Sequence, residues 1–289
     1  MPNKLIAFLG FILLLFFSPF VPVILFSSLP QNSDIIVNQP EINQEKKIVG
    51  EKFDSSNQLV SSSSKTTILK TNDQIETKKA LILFTHSHEA FIPIVKNVSG
   101  QTTVYHPQSN ITAFEDVIKN YFELNSINVE ILAVDTMDKM KKTNRSFSEA
   151  YDVVRPYLVT QLQNSNYDII IDLHRDSTKR KLSTLKYKNE NYGKLYFVVG
   201  ENNPNYITNK TFAEEISSSL NEYIPGISRG VISKKGEHVD GIYNQDLAKN
   251  MILVEMGGIE NTQDEINRTI SVLSKAISTV LQKSSLKDL

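Results

Sequence analysis

The stretch Ile169-Ile170-Ile171-Asp172-Leu173-His174-Arg175-Asp176 is the most informative part of the sequence for the fold. It starts as a short apolar run, typical of a strand buried in a parallel sheet, and ends in polar side chains. Two further segments repeat this plan: residues 81–84 precede Thr85-His86-Ser87-His88-Glu89, and residues 251–254 precede Glu255-Met256-Gly257-Gly258. Ligands of open α/β sheets bind at the carboxyl ends of the strands, so two histidines and two glutamates are expected to converge there. Such residues are the ligands of a catalytic zinc, which keeps one position open for water.

Strand and helix patterns alternate along the last two-thirds of the chain. Apolar residues at helical spacing predict helices at residues 111–124, 147–163, 209–221 and 261–283. Strand-like runs lie at residues 80–85, 128–134, 168–173, 194–199 and 251–255. Ser109 or Asn110 is available to cap the first helix, and Thr262 to cap the last, with Glu265 as its capping-box partner. This order predicts an α/β fold with a largely parallel sheet flanked by helices.

The first 26 residues predict a membrane anchor. No charged residue occurs between Lys4 and Asp34, and the almost wholly apolar residues 5–26 would span ~33 Å as a helix, about the thickness of a hydrocarbon core. A cleaved signal peptide is the alternative, although no A-x-A-like site follows. Because the positive charge precedes the span, the rest of this single-pass chain is expected outside the cell membrane. A flexible polar linker at residues 27–78 and one domain at residues 79–289 complete the predicted organisation.

Composition and missing motifs narrow the classes of function. The 289 residues include no cysteine, so any metal must be held by histidine, aspartate or glutamate. A net charge of −1, without a basic aromatic stripe, argues against a nucleic-acid partner. The sequence also lacks a G-x-S-x-G elbow, an H-E-x-x-H helix and a phosphate-binding glycine loop. A nucleophilic-serine hydrolase is therefore not expected.

The candidate residues around His174 have a structural explanation beside the functional one. Asp172, Arg175 and Asp176 surround His174 in sequence, at the mouth of a strand predicted to be buried. Charged groups there are costly unless they are paired or bind a ligand. A structural ion-pair cluster is therefore the alternative to a metal site.

Glu255 and the other histidines also allow two interpretations. Glu255 ends an apolar run beside two glycines, which suits a general base, but a glutamate emerging into solvent has the same pattern. His86 and His88 are metal-ligand candidates or ordinary loop histidines. His106 and His238 lie in polar surroundings and are interpreted as surface residues.

Several blocks, in order, resemble the stage II sporulation protein P family of spore-forming Firmicutes. The first is Thr85-His86-Ser87-His88-Glu89-Ala90-Phe91, similar to the family's T-H-x-x-E-[SA]-[FY], and the second is Asp172-Leu173-His174-Arg175-Asp176-Ser177. The others are Val199-Gly200-Glu201-Asn202-Asn203-Pro204-Asn205-Tyr206, Pro225-Gly226-Ile227-Ser228-Arg229-Gly230, Tyr243-Asn244-Gln245-Asp246-Leu247 and Leu253-Val254-Glu255-Met256-Gly257-Gly258-Ile259-Glu260-Asn261-Thr262. The anchor and linker fit the family, although the linker is short. His88 departs from it, because the family usually has a small polar residue there.

The resemblance implies a membrane-anchored, zinc-dependent peptidoglycan hydrolase with the fold of N-acetylmuramoyl-L-alanine amidases. It makes His86 and His174 the zinc imidazoles and Glu255 the catalytic glutamate. Glu89 is the favoured carboxylate ligand, while related amidases place that ligand at the start of the first helix, here near Glu115. The family context further implies endopeptidase activity on cross-links and action at the sporulation septum during engulfment. It also implies partner proteins, among them a glycan-cleaving transglycosylase.

Roles for the remaining residues follow as hypotheses. Arg175 is expected to stabilise the oxyanion of the cleaved amide, and Asp172 or Asp176 to orient His174. The groove for the glycan and peptide is expected to include three consecutive residues, Asn244, Gln245 and Asp246. A non-catalytic, membrane-tethered wall-binding or sensor domain is the rival from another class, and a scaffold for a partner enzyme is the third possibility.

Overall fold

A computed structural model describes residues 77–287. The predicted anchor at residues 1–26, and the linker up to residue 76, lie outside the described residues. Within residues 77–287, no helix has the length and apolarity needed to cross a bilayer. The eight strands are β1 (Lys78–Leu83), β2 (Ile127–Ile131), β3 (Ile169–Asp176), β4 (Thr184–Tyr187), β5 (Glu190–Gly193), β6 (Leu195–Gly200), β7 (Ser228–Lys234) and β8 (Met251–Gly258).

Six of these strands form one sheet in the order β2-β1-β3-β8-β6-β7, and β4 and β5 form a separate hairpin. All neighbours in the large sheet are parallel except β8 and β6. The helices are α1 (Ile92–Ser99), α2 (Glu115–Glu123), α3 (Thr136–Lys142), α4 (Ala150–Asn164), α5 (Arg180–Ser183), α6 (Tyr206–Tyr223) and α7 (Gln263–Lys287). The predicted α/β fold with a mostly parallel sheet flanked by helices is thereby confirmed.

The two faces of the sheet pack against different helices because side chains alternate along each strand. On β1, Ile82 belongs to the cluster that includes residues of α2, α6 and α7, whereas Leu81 and Leu83 pack with Val154 and Leu158 of α4. We call these two sides the first face and the second face. Burial on both sides explains why these strands have near-continuous apolar sequences.

The same alternation places the polar residues of the strand ends on one face. Ile169, Ile171 and Leu173 of β3 join the core of the first face. Asp172 and His174, at the alternate positions, therefore lie on the second face together with Ile170. Along β3, the polar side chains on the second face lie near the carboxyl end of the strand, which positions the candidate site.

The predicted helix caps are found where the sequence placed them. The side chain of Asn110 accepts a hydrogen bond from the Thr112 backbone N–H at 2.9 Å and begins the 3₁₀ turn Ile111–Phe114, which leads into α2. The Glu265 carboxylate accepts from the Thr262 N–H at 3.0 Å, and the Glu265 N–H donates to the Thr262 hydroxyl at 3.4 Å. Both contacts satisfy N–H groups that a helix start leaves unpaired.

Several elements had no sequence prediction. Helices α1, α3 and α5 are short, and the β4–β5 hairpin and β7 contain many polar residues. β7 is the outermost strand of the sheet, and most of its residues are only half-buried. An edge strand needs fewer apolar side chains than a central one, which is why periodicity alone did not reveal it.

Candidate metal centre

Three side chains from two separate segments converge on the second face. His86 lies in the turn after β1, Glu89 follows that turn, and His174 belongs to β3. Their ligand atoms all lie within 4.8 Å of one another. His86 Nδ1 is 3.6 Å from Glu89 Oε1, and His174 Nδ1 is 3.8 Å from Glu89 Oε2. Two imidazole nitrogens and one carboxylate thus face a common point.

The turn that carries His86 is fixed to the neighbouring strand by Asp172. This fully buried carboxylate accepts hydrogen bonds from the Thr85 N–H at 3.0 Å and from the Thr85 hydroxyl at 2.7 Å. The turn closes locally, because the Glu89 N–H donates to the His86 carbonyl at 2.9 Å. Asp172 therefore ties the end of β1 to β3 and sets the position of His86 relative to His174.

Asp172 also contacts His174 directly. Its Oδ1 lies 3.0 Å from His174 Nε2, which is an ion-pair distance. The two groups are not aligned as a hydrogen bond, and Nε2 makes no hydrogen bond to any described residue. Burial opposes ionisation of Asp172, but the charge of His174 and the hydrogen bonds from Thr85 hold its pKa below the ordinary value. Of the two aspartates predicted to orient His174, the structure thus brings Asp172 to the ring. His174 Nδ1 is left facing Glu89.

The carboxylates around His174 favour a positive charge there. Burial alone would lower the pKa of His174, but Asp172, Glu89 and Glu255 raise it to about 10. Glu89 is itself buried, which opposes its ionisation. The nearby His86 ring and the charges of His174 and Arg175 nevertheless lower its pKa. The same arrangement of negative groups would attract a metal cation in place of the proton, and its nitrogen and oxygen donors suit zinc.

Glu255 occupies the position next to this cluster. On β8 it is the register partner of His174 on β3. Its Oε2 is buried and has no hydrogen-bond partner within the described part of the chain. Burial, aided by the charges of Glu89 and Asp176, raises the pKa of Glu255 to about 7 despite the opposing charge of His174. A carboxyl group with such a pKa can take up and release a proton near neutral pH.

The alternative carboxylate and the unusual histidine lie elsewhere. Glu115 starts α2 and lines a separate cavity of about 180 Å³ together with His88 and Asp135. His88 Nε2 is 2.9 Å from Asp135, which also accepts a hydrogen bond from Ser87 at 2.8 Å. The structure therefore brings Glu89, and not Glu115, to His86 and His174, and it gives His88 a partner away from them.

Arg175 is held by hydrogen bonds to Glu89 and to two backbone carbonyl groups. Its backbone N–H donates to Glu89 Oε2 at 2.7 Å, and its guanidinium donates to the carbonyls of Val104 at 2.8 Å and Asp176 at 3.3 Å. The guanidinium also lies 5.6 Å from the Tyr105 ring centre. Its Nε is buried and makes no hydrogen bond to residues 77–287. These contacts fix the segment that covers Glu89, and the expected oxyanion role of Arg175 stays a prediction.

The three predicted groove residues brace the fold. Gln245 has no exposed surface, and its side chain joins the Gly200 N–H at 2.9 Å and the Val198 carbonyl at 2.8 Å, so it has no surface for a substrate. Asn244 and Asp246 both accept hydrogen bonds from Arg155 of α4. Their contribution to substrate binding stays a prediction.

Three aromatic residues that were not among the predicted site residues line a cavity beside His86. A cavity of about 560 Å³ opens beside His86, and Phe147, Tyr151 and Tyr243 are in its wall. Phe147 stacks on His86 with 4.3 Å between ring centres, although 46% of Phe147 is exposed. The sequence signal for Phe147 and Tyr151 was their place at the start of a predicted helix, and Tyr243 begins one of the family blocks. Their exposure became visible only in the structure.

The fold and the site together define a class: an α/β protein with a candidate mononuclear metal centre at the strand ends of a mostly parallel sheet. Residues 25–278 match the family model described as Stage II sporulation protein P (SpoIIP). The chain is also 31% identical over 202 residues to Stage II sporulation protein P of Bacillus subtilis (strain 168). This chain belongs to the stage II sporulation protein P family, which confirms the resemblance seen in its motifs. The alignment covers 70% of this chain and spans about half, 50%, of the curated relative.

Solved structures with a similar course of the chain include two amidases. The N-acetylmuramoyl-L-alanine amidase AmiC2 of Nostoc punctiforme has a TM-score of 0.38 at 11% identity, covering 73% of this chain and 98% of that one. The CwlD amidase of Clostridioides difficile, solved with the GerS lipoprotein, has a TM-score of 0.43 at 11% identity, covering 73% and 97%. At these scores neither likeness bears on function, which has to be argued from the site and the family.

Proposed function

We propose that this chain is a zinc-dependent peptidoglycan hydrolase that cleaves the amide bond between N-acetylmuramic acid and L-alanine. The observation that carries the proposal is the cluster of His86, Glu89 and His174 with Glu255 beside it. Membership of the sporulation protein family supports the substrate, because the family motifs imply wall hydrolysis. The hydrolase would act on septal cell wall outside the membrane, beside other engulfment proteins.

Each residue has a distinct part in the proposed reaction. A zinc ion held by His86, Glu89 and His174 would supply a Lewis acid and a water whose pKa is lowered toward ~7. Glu255 takes a proton from the attacking water as the new carbon–oxygen bond forms. It then returns the proton to the leaving nitrogen as the carbon–nitrogen bond breaks. Asp172 keeps the His174 ring in place through its contact with Nε2.

Replacing the base tests the proposal most directly. We expect Glu255→Gln to lower the rate of cell-wall digestion by about 10²–10⁴-fold, because a general acid–base group is lost while the metal ligands remain. Digestion is measured by release of stem peptides, and zinc content is measured on the same sample. The matched control is Glu222→Gln, an exposed glutamate on α6. Normal digestion by Glu255→Gln with zinc bound would contradict the assignment of the base.

The metal content separates this proposal from a non-catalytic wall-binding domain. An enzyme of the proposed kind holds one zinc per chain, and His174→Ala removes it. His88→Asn serves as the control, because His88 pairs with Asp135 and lies outside the cluster. A chain that binds peptidoglycan equally well without any metal would favour the binding domain.

A further inference from the structure

Four neighbouring strands place one side chain each in a row across the second face. His174 on β3 is the register partner of Glu255 on β8, and Glu255 is the register partner of Tyr196 on β6. Directly opposed residues of paired strands point to the same face and lie next to each other. Tyr196 therefore follows Glu255 on the side away from the metal-ligand cluster. Its hydroxyl makes no hydrogen bond to any described residue, so its donor is available.

Arg229 on β7 extends the row by one strand. Leu195 of β6 pairs with Ser228 of β7, and Phe197 pairs with Val231, so the register shifts in between and Arg229 lies within the irregular stretch of β7. The guanidinium lies over the Tyr196 ring, 4.3 Å from its centre, and Nη2 donates to Asp176. Nε is buried without a partner, and Nη1 makes no hydrogen bond within residues 77–287. The Arg229 side chain is 26% exposed, so part of its guanidinium group faces solvent next to Tyr196.

The opposite end of the row is aromatic instead of cationic. His86 and His174 have ring centres 4.9 Å apart, and Phe147 covers His86 on its outer side. Tyr105 meets Phe147 edge to face at 5.9 Å, and both rings are exposed by more than two-fifths, at 42% and 46%. Exposed aromatic rings at the rim of a cleft mark a binding surface and suit the apolar face of a sugar.

The order of the row gives the bound substrate a direction. This inference rests on the proposed function. A base that takes a proton from the attacking water and gives it to the leaving nitrogen has to lie between these two points. In the order of strands across the sheet, the metal ligands lie on one side of Glu255 and Tyr196 lies on the other. The acyl side of the cleaved amide bond therefore lies toward His86, and the leaving-amine side lies toward Tyr196. The amine side of a muramoyl peptide is the stem peptide.

We propose that the stem peptide binds over Tyr196 and Arg229, and that Arg229 recognises a carboxylate of that peptide. The Tyr196 hydroxyl donates to a peptide carbonyl, while the sugar lies against Phe147 and Tyr105. A guanidinium is suited to this task because its fork matches a carboxylate in shape and charge. Asp176 and the Tyr196 ring keep the fork in place. The carboxylate expected there is the α-carboxylate of the second stem residue.

Two muramoyl tripeptides test this orientation. They are identical except at the α group of the second residue, which is a carboxylate in one and a carboxamide in the other. Dissociation constants are measured on full-length Glu255→Gln, so that binding is compared without turnover. We expect the carboxylate ligand to bind about tenfold more tightly, and Arg229→Gln in the same background to reduce this ratio to about one.

The ratio of the two dissociation constants is measured on one variant. A general effect of the substitution on folding changes both constants equally and leaves their ratio unchanged. Arg268→Gln is the matched control and should keep the tenfold ratio. Arg268 also lies over a tyrosine, 5.9 Å from the Tyr192 ring centre, and also pairs with an acid, Glu190, at 3.2 Å. Equal binding of the two ligands, or an unchanged ratio in Arg229→Gln, overturns the orientation. If the orientation is overturned but the unmodified chain still cleaves the two tripeptides, the proposed hydrolase activity stands. If the chain neither binds nor cleaves either tripeptide, both proposals are overturned.

Discussion

Asp172 illustrates how much one buried side chain contributes to the site. It holds Thr85 before the His86 turn and contacts His174 across the strand, so it connects both histidines. Its neighbour Asp176 serves another purpose, because it accepts from Thr178 and pairs with Arg229. Two aspartates four residues apart thus support the metal-ligand end and the proposed peptide end of the same row.

We expect Asp172→Asn to weaken zinc binding by about 10–100-fold, because groups that orient a ligating histidine have effects of this size. The measurement is competition for zinc against a chelator of known affinity. Asp116→Asn, an exposed residue in the first turn of α2, is the control and should bind zinc like the unmodified chain. Unchanged affinity in Asp172→Asn would show that the contact with His174 Nε2 is dispensable.

Glu265 anchors a second polar cluster, in the first turn of α7. Its carboxylate pairs with Arg180 and accepts hydrogen bonds from Asn261 at 2.8 Å and from the Thr262 N–H at 3.0 Å. Burial opposes its ionisation, but these contacts lower the pKa of Glu265 below the ordinary value of 4.5. A carboxyl group with a lowered pKa stabilises the fold above its unfolded pKa and loses that contribution as the pH falls.

We therefore expect Glu265→Gln to lower the free energy of unfolding by about 1–2 kcal/mol at pH 7, after allowance for the partly exposed Arg180. The deficit should shrink as the pH falls below about 4.5, because the carboxylate then takes up a proton in the unfolded state while it stays ionised in the native state, and the shrinking ends once the native carboxylate is protonated too. Urea unfolding between pH 3 and pH 7 measures both effects. Glu214→Gln, whose ion pair with Lys210 is exposed, should change stability by less than about 0.5 kcal/mol. A constant deficit at all pH values would refute the linkage.

The 3₁₀ turn that leads into α2 begins at a single capping side chain, Asn110. Asn110 is buried, accepts hydrogen bonds from Thr112 and donates to the carbonyls of His106 and Pro107. This network connects residues 106 and 107 of the preceding loop with the turn that leads into α2. The Glu89 carbonyl also accepts from the Ile111 N–H at 2.8 Å, one residue after the cap. The cap therefore lies one residue from a direct contact with a candidate ligand.

We expect Asn110→Ala to lower the free energy of unfolding by about 1–2 kcal/mol, because a helix cap and three further hydrogen bonds are lost. Asn97→Ala is the control: Asn97 is exposed on α1, and alanine favours a helix at least as well. Thermal unfolding followed by circular dichroism compares the variants. Equal stability of the two would mean that the Asn110 contacts have no net effect.

The whole molecule is expected to gain stability from the metal. The ligands come from two segments separated by 85 positions between Glu89 and His174 (174 − 89), so a shared ion binds the folded state and not the unfolded one. Zinc at 100 times its dissociation constant would add about 2.7 kcal/mol of stability, seen as a higher melting temperature that a chelator reverses. His86→Ala should abolish the increase, and its persistence in that variant would place the ion elsewhere.

Local patterns in the sequence predicted five of the eight strands and the polar ends of three of them. Apolar runs followed by His86, His174 and Glu255 were visible because burial on both faces leaves near-continuous apolar segments. The caps at Asn110 and Thr262 were also local, since a cap contacts groups only two or three residues away. The blocks shared with the sporulation protein family were likewise read directly from the chain.

Only the tertiary structure decided which of these residues meet. In the structure, Glu89 and not Glu115 lies beside the two histidines. Asp172 and not Asp176 contacts the His174 ring, and Gln245 is fully buried. The row from His174 to Arg229 depends on the register of four strands that are far apart in the chain. Register and strand order follow from how the whole sheet packs, and neither composition nor periodicity carries that information.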